Sequence, residues 1–89
     1  MAAYFYFVVD YATGTPREVF RSTIGGMRFY DGVIQRAKQD GTWSAEDADV
    51  RPLFDLWLKG DFDPQDDEVP ELEAYALLDR WSGGNWPGR

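Results

Sequence analysis

Six consecutive apolar positions, Tyr4-Phe5-Tyr6-Phe7-Val8-Val9, open the pattern and run into Asp10-Tyr11 with no good helix former among them. A continuous aromatic and β-branched run predicts a strand over 4–11 that is buried on both faces. Ala12-Thr13-Gly14-Thr15-Pro16 carries turn chemistry, because Gly14 takes positive φ freely and Pro16 has no N–H for a ladder. The weak alternation of Arg17-Glu18-Val19-Phe20-Arg21-Ser22 then returns antiparallel as a hairpin. Its rival is a short helix over 16–23, capped by Thr15 and opened by Pro16. Gly25-Gly26 breaks the pattern. Beyond it, Phe29, Tyr30, Val33, Ile34 and Ala37 fit helical spacing, but Gly32 interrupts them at a cost of ~1 kcal/mol relative to Ala. The preferred reading is a strand over 33–38 turned by Asp40-Gly41, as a two-residue hairpin, into Thr42-Trp43.

The second half has helical periodicity. Ser44-Ala45-Glu46-Asp47 resembles a capping box, and Asp49 is an equally good N-cap. Val50, Leu53, Phe54, Trp57 and Leu58 form one apolar stripe that ends at Gly60, and Pro52 in the first turn places the start near Asp49. Asp61 to Glu68 is a loop by composition, with Phe62 as its anchor to the core. A helix over 70–82 follows, with Glu71 and Glu73 in its first turn and a stripe of Ala74, Leu77, Leu78 and Trp81 widened by Leu72, Tyr75 and Ala76. The expected fold class is α+β, a short antiparallel sheet with the 49–59 and 70–82 helices on one face. The strand's other apolar face is then covered by the 27–38 segment or by a second copy of the chain, which brings a homodimer through the sheet among the expected partners.

Length and composition narrow the chemistry. Eighty-nine residues make one domain, assigned to 1–84, with 85–89 as a flexible C-terminal tail in which Trp86 is free to meet a partner. There is no Cys and no His, which removes disulfides, thiolate nucleophiles, zinc sites built on those ligands and imidazole-based catalysis. The first residues lack the basic region of a signal peptide and the apolar run is too short for a membrane span, so a cytoplasmic protein is expected.

Asp61, Asp63 and Gln65 match the first ligand positions of a calcium loop, but Asp66 stands where Gly is needed and Leu72 where a bidentate Glu belongs, so no metal and no cofactor is expected. Sixteen carboxylates offer acid–base material, yet no two are singled out by contrasting surroundings, and catalysis is not expected. Aromatics beside Arg17, Arg21 and Arg28 suggest a base-stacking platform, which a net charge of −7 opposes. That charge is uneven: residues 40–79 carry thirteen acids against two bases, while residues 1–39 carry five bases against three acids.

The order of pieces also carries a likeness. An aromatic strand with a Gly-Thr-Pro turn, a Val-Phe-Arg return strand, Asp-Gly-Thr-Trp, an apolar helix, and an acidic loop leading into a Glu-rich helix resemble small acidic bacterial proteins of unassigned function. The resemblance implies a free-standing bacterial domain and transfers no site residue. The functional expectation is a non-catalytic interaction or regulatory protein acting through an acidic surface at Asp61, Asp63, Asp66, Asp67, Glu68, Glu71 and Glu73, with Trp86 as an added anchor. Its sharper form is an acidic inhibitor or nucleic-acid mimic bound to a basic partner protein. A small carboxylate enzyme is the remaining class.

Overall fold

The computed structural model describes residues 4–9, 18–84 and 86. Among the described residues five strands form one antiparallel sheet: β1 (Phe5–Val9), β2 (Glu18–Ser22), β3 (Ile34–Ala37), β4 (Trp43–Ser44) and β5 (Glu68–Val69), in the spatial order β4-β3-β2-β1-β5. Two helices, α1 (Asp47–Lys59) and α2 (Glu71–Trp81), and a 3-10 segment at Gly26–Asp31 complete the α+β fold. β1 and β2 pair as expected, with Phe7 opposite Phe20 and Val8 opposite Val19, so a helix over 16–23 is excluded for residues 18–22. The hairpin turn at 12–16 lies outside the described residues.

Alternation along β1 separates two cores. Tyr6 and Val8 join Val19, Ala37, Val69, Ala74, Leu77, Leu78 and Trp86 on one side of the sheet. Phe7 and Val9 join Phe20, Phe29, Ile34, Leu53 and Phe62 on the other. The helices therefore cover opposite faces, α2 over the first set and α1 over the second, which corrects the one-face arrangement expected from the stripes. A strand apolar on both faces needs two covers, and this chain supplies one on each face.

The helix margins also differ from expectation. On α1, Leu56 packs against the core and Leu58 is 86% exposed, both being border positions of the stripe. Leu72 is likewise 86% exposed on α2, and Ala76 faces solvent. α1 begins two residues before Asp49, leaving Pro52 inside the helix and not in its first turn; the carbonyl that loses its partner belongs to exposed Ala48. Neither proposed cap forms. Ser44 instead donates to Asp49 Oδ2 at 2.6 Å, and Lys38 Nζ meets Asp49 Oδ1 at 3.1 Å, which fastens α1 to the β3–β4 hairpin. That hairpin has a three-residue loop: Lys38 N–H donates to the Thr42 carbonyl at 2.8 Å, and Gly41 takes the left-handed position at φ 92°.

Candidate interaction surface

The acidic stretch carries the chain from one face of the sheet to the other. α1 stops at Gly60, whose φ of 82° lets its own N–H reach the Trp57 carbonyl while Asp61 N–H reaches that of Leu56. Phe62 and Pro64 turn inward, and the Phe62 ring meets Phe7 and Phe29 edge-on at 5.6 and 5.5 Å. The chain then runs along the outer edge of β1 as β5, with Val8 N–H donating to the Asp67 carbonyl at 3.0 Å, and enters α2. The loop is thus held between the core and the sheet edge.

Within it, two of the seven predicted acids, Asp63 and Asp67, hold the loop's own backbone. Asp63 Oδ1 accepts from Gln65 N–H at 2.8 Å, while Asp67 Oδ2 accepts from Asp63 N–H at 2.9 Å. Asp67 is half-buried, and burial pushes its carboxyl above the ordinary value, with the charges of Asp63 and Asp66 adding to the effect. Glu68 Oε1 accepts from Gly26 N–H at 3.0 Å, and Glu71 Oε1 accepts from the Tyr6 hydroxyl at 3.3 Å. The same hydroxyl lies 3.2 Å from that of Tyr75, and its burial raises the Tyr6 pKa well above normal.

Asp61, Asp63, Asp66, Glu68, Glu71 and Glu73 are all exposed, and none is ion-paired among the described residues. No Lys or Arg occurs between Lys59 and Arg80 to neutralise them. These exposed carboxylates are spread over the end of α1, the loop, β5 and the first turn of α2. Among the described residues no group of three or more His, Cys, Asp or Glu converges to hold a metal ion.

Trp86 does not belong to this surface. It is 1% exposed, its indole N–H donates to the Lys38 carbonyl at 3.2 Å, and its backbone N–H donates to Asp79 Oδ1 at 2.8 Å. Its ring meets Trp43 edge-on at 5.1 Å. The expectation of a free anchor in a frayed tail is thus corrected at this residue, because the indole finds both an apolar bed and an acceptor on the α2 face. Residues 85 and 87–89 lie outside the described residues.

The stacking-platform idea also separates into parts. Arg21 is held between the rings of Tyr4 and Trp43, at 3.9 and 4.1 Å from their centroids, on the α2 side of the sheet. Arg28 belongs to the 3-10 segment, whose Phe29 packs on the opposite side, and pairs with Asp31 at 2.8 Å. Arg17 lies outside the described residues.

An open groove of about 260 Å³ is lined by Glu18, Arg36, Ala37, Lys38, Gln39 and Trp81. Its two cations are already engaged, Arg36 by Glu18 and Lys38 by Asp49. No described helix is long and apolar enough to cross a membrane.

One feature of the surface escaped the periodicity. Phe5, Ile24, Met27, Tyr30 and Val33 are between 38% and 58% exposed, the first at the start of β1 and the others in the connection from β2 to β3. The signal for it was the run after Gly25-Gly26, where the helical spacing of the apolar residues is interrupted by Gly32. No family model, curated protein or solved structure matches the chain.

Proposed function

We propose that this chain is a non-catalytic interaction protein of the bacterial cytoplasm, whose acidic stretch from Asp61 to Glu73 engages a basic partner protein. The observation that carries the reading is the exposure of six carboxylates without ion-pair partners, on the loop anchored by Phe62, on β5 and on the first turn of α2. Exposed negative charge of this kind steers an oppositely charged surface toward it. The absence of His and Cys from the chain favours binding over turnover.

The test is capture of partners from a bacterial extract with the purified chain and with the triple variant Asp61→Asn, Asp66→Asn, Glu73→Gln. None of these three side chains anchors the fold through a hydrogen bond, so the variant changes charge alone. A basic protein should be retained by the wild type in low salt and released as the Debye length falls from about 10 Å at 0.1 M toward about 3 Å at 1 M. The variant should retain much less of it. Capture that ignores both salt and the three substitutions refutes the reading.

A further inference from the structure

We propose that Arg21 is a receptor for a planar carboxylate, set on the α2 face of the sheet and separate from the acidic stretch. Its place follows from the strand register. Arg21 stands opposite Tyr6 on β1 and opposite Gln35 on β3, so the three side chains form one row across the sheet. Val8 and Val19, the next pair along that face, are fully buried in the core under α2. At the other end, Thr23 and Val33 are exposed, joined by Thr23 N–H to the Val33 carbonyl at 3.3 Å. Arg21 and Gln35 are half-buried at the boundary between the two.

The guanidinium is held by neutral groups alone. Its Nε donates to Gln35 Oε1 at 2.7 Å, and the ring centroids of Tyr4 and Trp43 lie 3.9 and 4.1 Å from its central carbon. The Tyr6 hydroxyl is a further hydrogen-bond neighbour, and Glu71 is reached only through that hydroxyl, which donates to it at 3.3 Å. Arg28, Arg36 and Arg51, by contrast, each meet a carboxylate directly. The chain has sixteen acids against nine bases, yet among the described residues none pairs with Arg21. A half-buried charge is costly without a counter-charge, and stacking on two rings offsets only part of that cost.

The same geometry selects the ligand. Rings occupy both faces of the guanidinium and Gln35 takes Nε, which leaves an incoming acceptor the terminal amino groups, whose N–H bonds lie in the guanidinium plane. A carboxylate offers two coplanar oxygens to that edge and enters flat between the rings, whereas a tetrahedral phosphate would press oxygens against them. The net charge of −7 also favours a singly charged ligand over a dianion. With the guanidinium already oriented, binding has little left to order.

The probe is N-acetylglycine, whose only charge is its carboxylate, titrated into isotope-labelled chain while the arginine Nε–H and backbone amide signals are followed. Its comparisons are N-acetylglycinamide, the α-amide of N-acetylaspartate and inorganic phosphate. Acetylglycine should shift the Arg21 side-chain signal and the amides of 20–22 and 34–36, the neutral amide should not, and phosphate should bind more weakly. Arg21→Lys keeps the charge without the planar fork and should lose about tenfold in affinity. Gln35→Glu sets a carboxylate beside the guanidinium and should lose as much; should Arg21→Lys misfold by circular dichroism, this second variant decides.

Equal binding of the aspartate amide supports a site that reads any carboxylate, and weaker binding supports one that reads a chain terminus or a free acid. Equal shifts with the neutral amide, tighter binding of phosphate, unchanged affinity in Gln35→Glu, or no shift with any probe each overturn the proposal. None of these results bears on the acidic stretch, which the capture experiment judges separately.

Discussion

Trp86 joins parts of the chain that share no other element. Its indole lies in the core between the sheet and α2, donates to Lys38 at the end of β3, and has its backbone held by Asp79 of α2. Truncating such a side chain removes its transfer free energy and leaves a void the surroundings fill only in part. Trp86→Ala is therefore expected to cost about 3–5 kcal/mol, a large share of the roughly 4–13 kcal/mol available to a chain of this size. Trp86→Phe should recover much of the packing and still lack the bond to Lys38, a deficit of about 1 kcal/mol. Urea midpoints of the three proteins check this, and an alanine variant as stable as the wild type would mean that the indole does not occupy this bed. Nothing local in Asn85-Trp86-Pro87-Gly88 announces burial, because turn residues flank the indole and the acceptor of its N–H, Lys38, lies 48 residues away.

The connection from β2 to β3 depends on a glycine for want of space, not for its φ. Gly32 is extended at φ −98°, yet a Cβ there would lie 2.5 Å from Thr23 Oγ1, 2.8 Å from Ser22 Oγ and 2.9 Å from Ile24 N. Ser22 is fully buried and donates to the Phe29 carbonyl at 2.7 Å, so the neighbours cannot yield without loosening the 3-10 segment. Gly32→Ala should destabilise by about 1–3 kcal/mol, whereas Gly25→Ala, which meets the half-exposed Phe5 ring, should cost less because that ring can swing into solvent. Thermal melts of the two variants decide the order. This segment also marks how far the pattern of the chain can be followed. β1, its pairing with β2, the strand after Gly32 and both helices follow from periodicity and turn residues, as does the Phe62 anchor. The face each helix takes does not. Odd and even positions of β1 are equally apolar, so alternation gives no preference, and the choice falls to a connection that rounds the sheet edge and adds β5. The acidic stretch was legible as composition, while the exposure of Met27 and Tyr30 was not, because a 3-10 turn imposes neither of the two usual periods.

For the molecule as a whole, the carboxylates whose pKa shifts on folding set how stability follows pH. Asp49 is held below the ordinary carboxylate range, first by the Ser44 hydroxyl and then by Lys38. A lowered folded value means stabilisation that is present above the unfolded pKa and fades as pH falls through the folded one. Asp67 has the opposite sign: with its value raised, chiefly by burial, it favours the fold below the unfolded pKa and loses that contribution as pH rises through the folded one. The two signs separate experimentally. Asp49→Asn should be less stable than wild type near pH 7, because the neutral amide cannot hold Lys38 as an ion pair. Asp67→Asn should be more stable there, since an amide oxygen can still accept from Asp63 N–H without a half-buried charge beside Asp63 and Asp66. Both differences should shrink as the solution is acidified through the carboxylate range, where the wild-type side chains become neutral as well. Chemical denaturation at neutral and acidic pH measures this directly. If Asp67→Asn destabilises the protein at neutral pH, the ionised carboxylate holds the loop through Asp63 N–H more strongly than its burial costs, and the sign assigned to Asp67 is overturned.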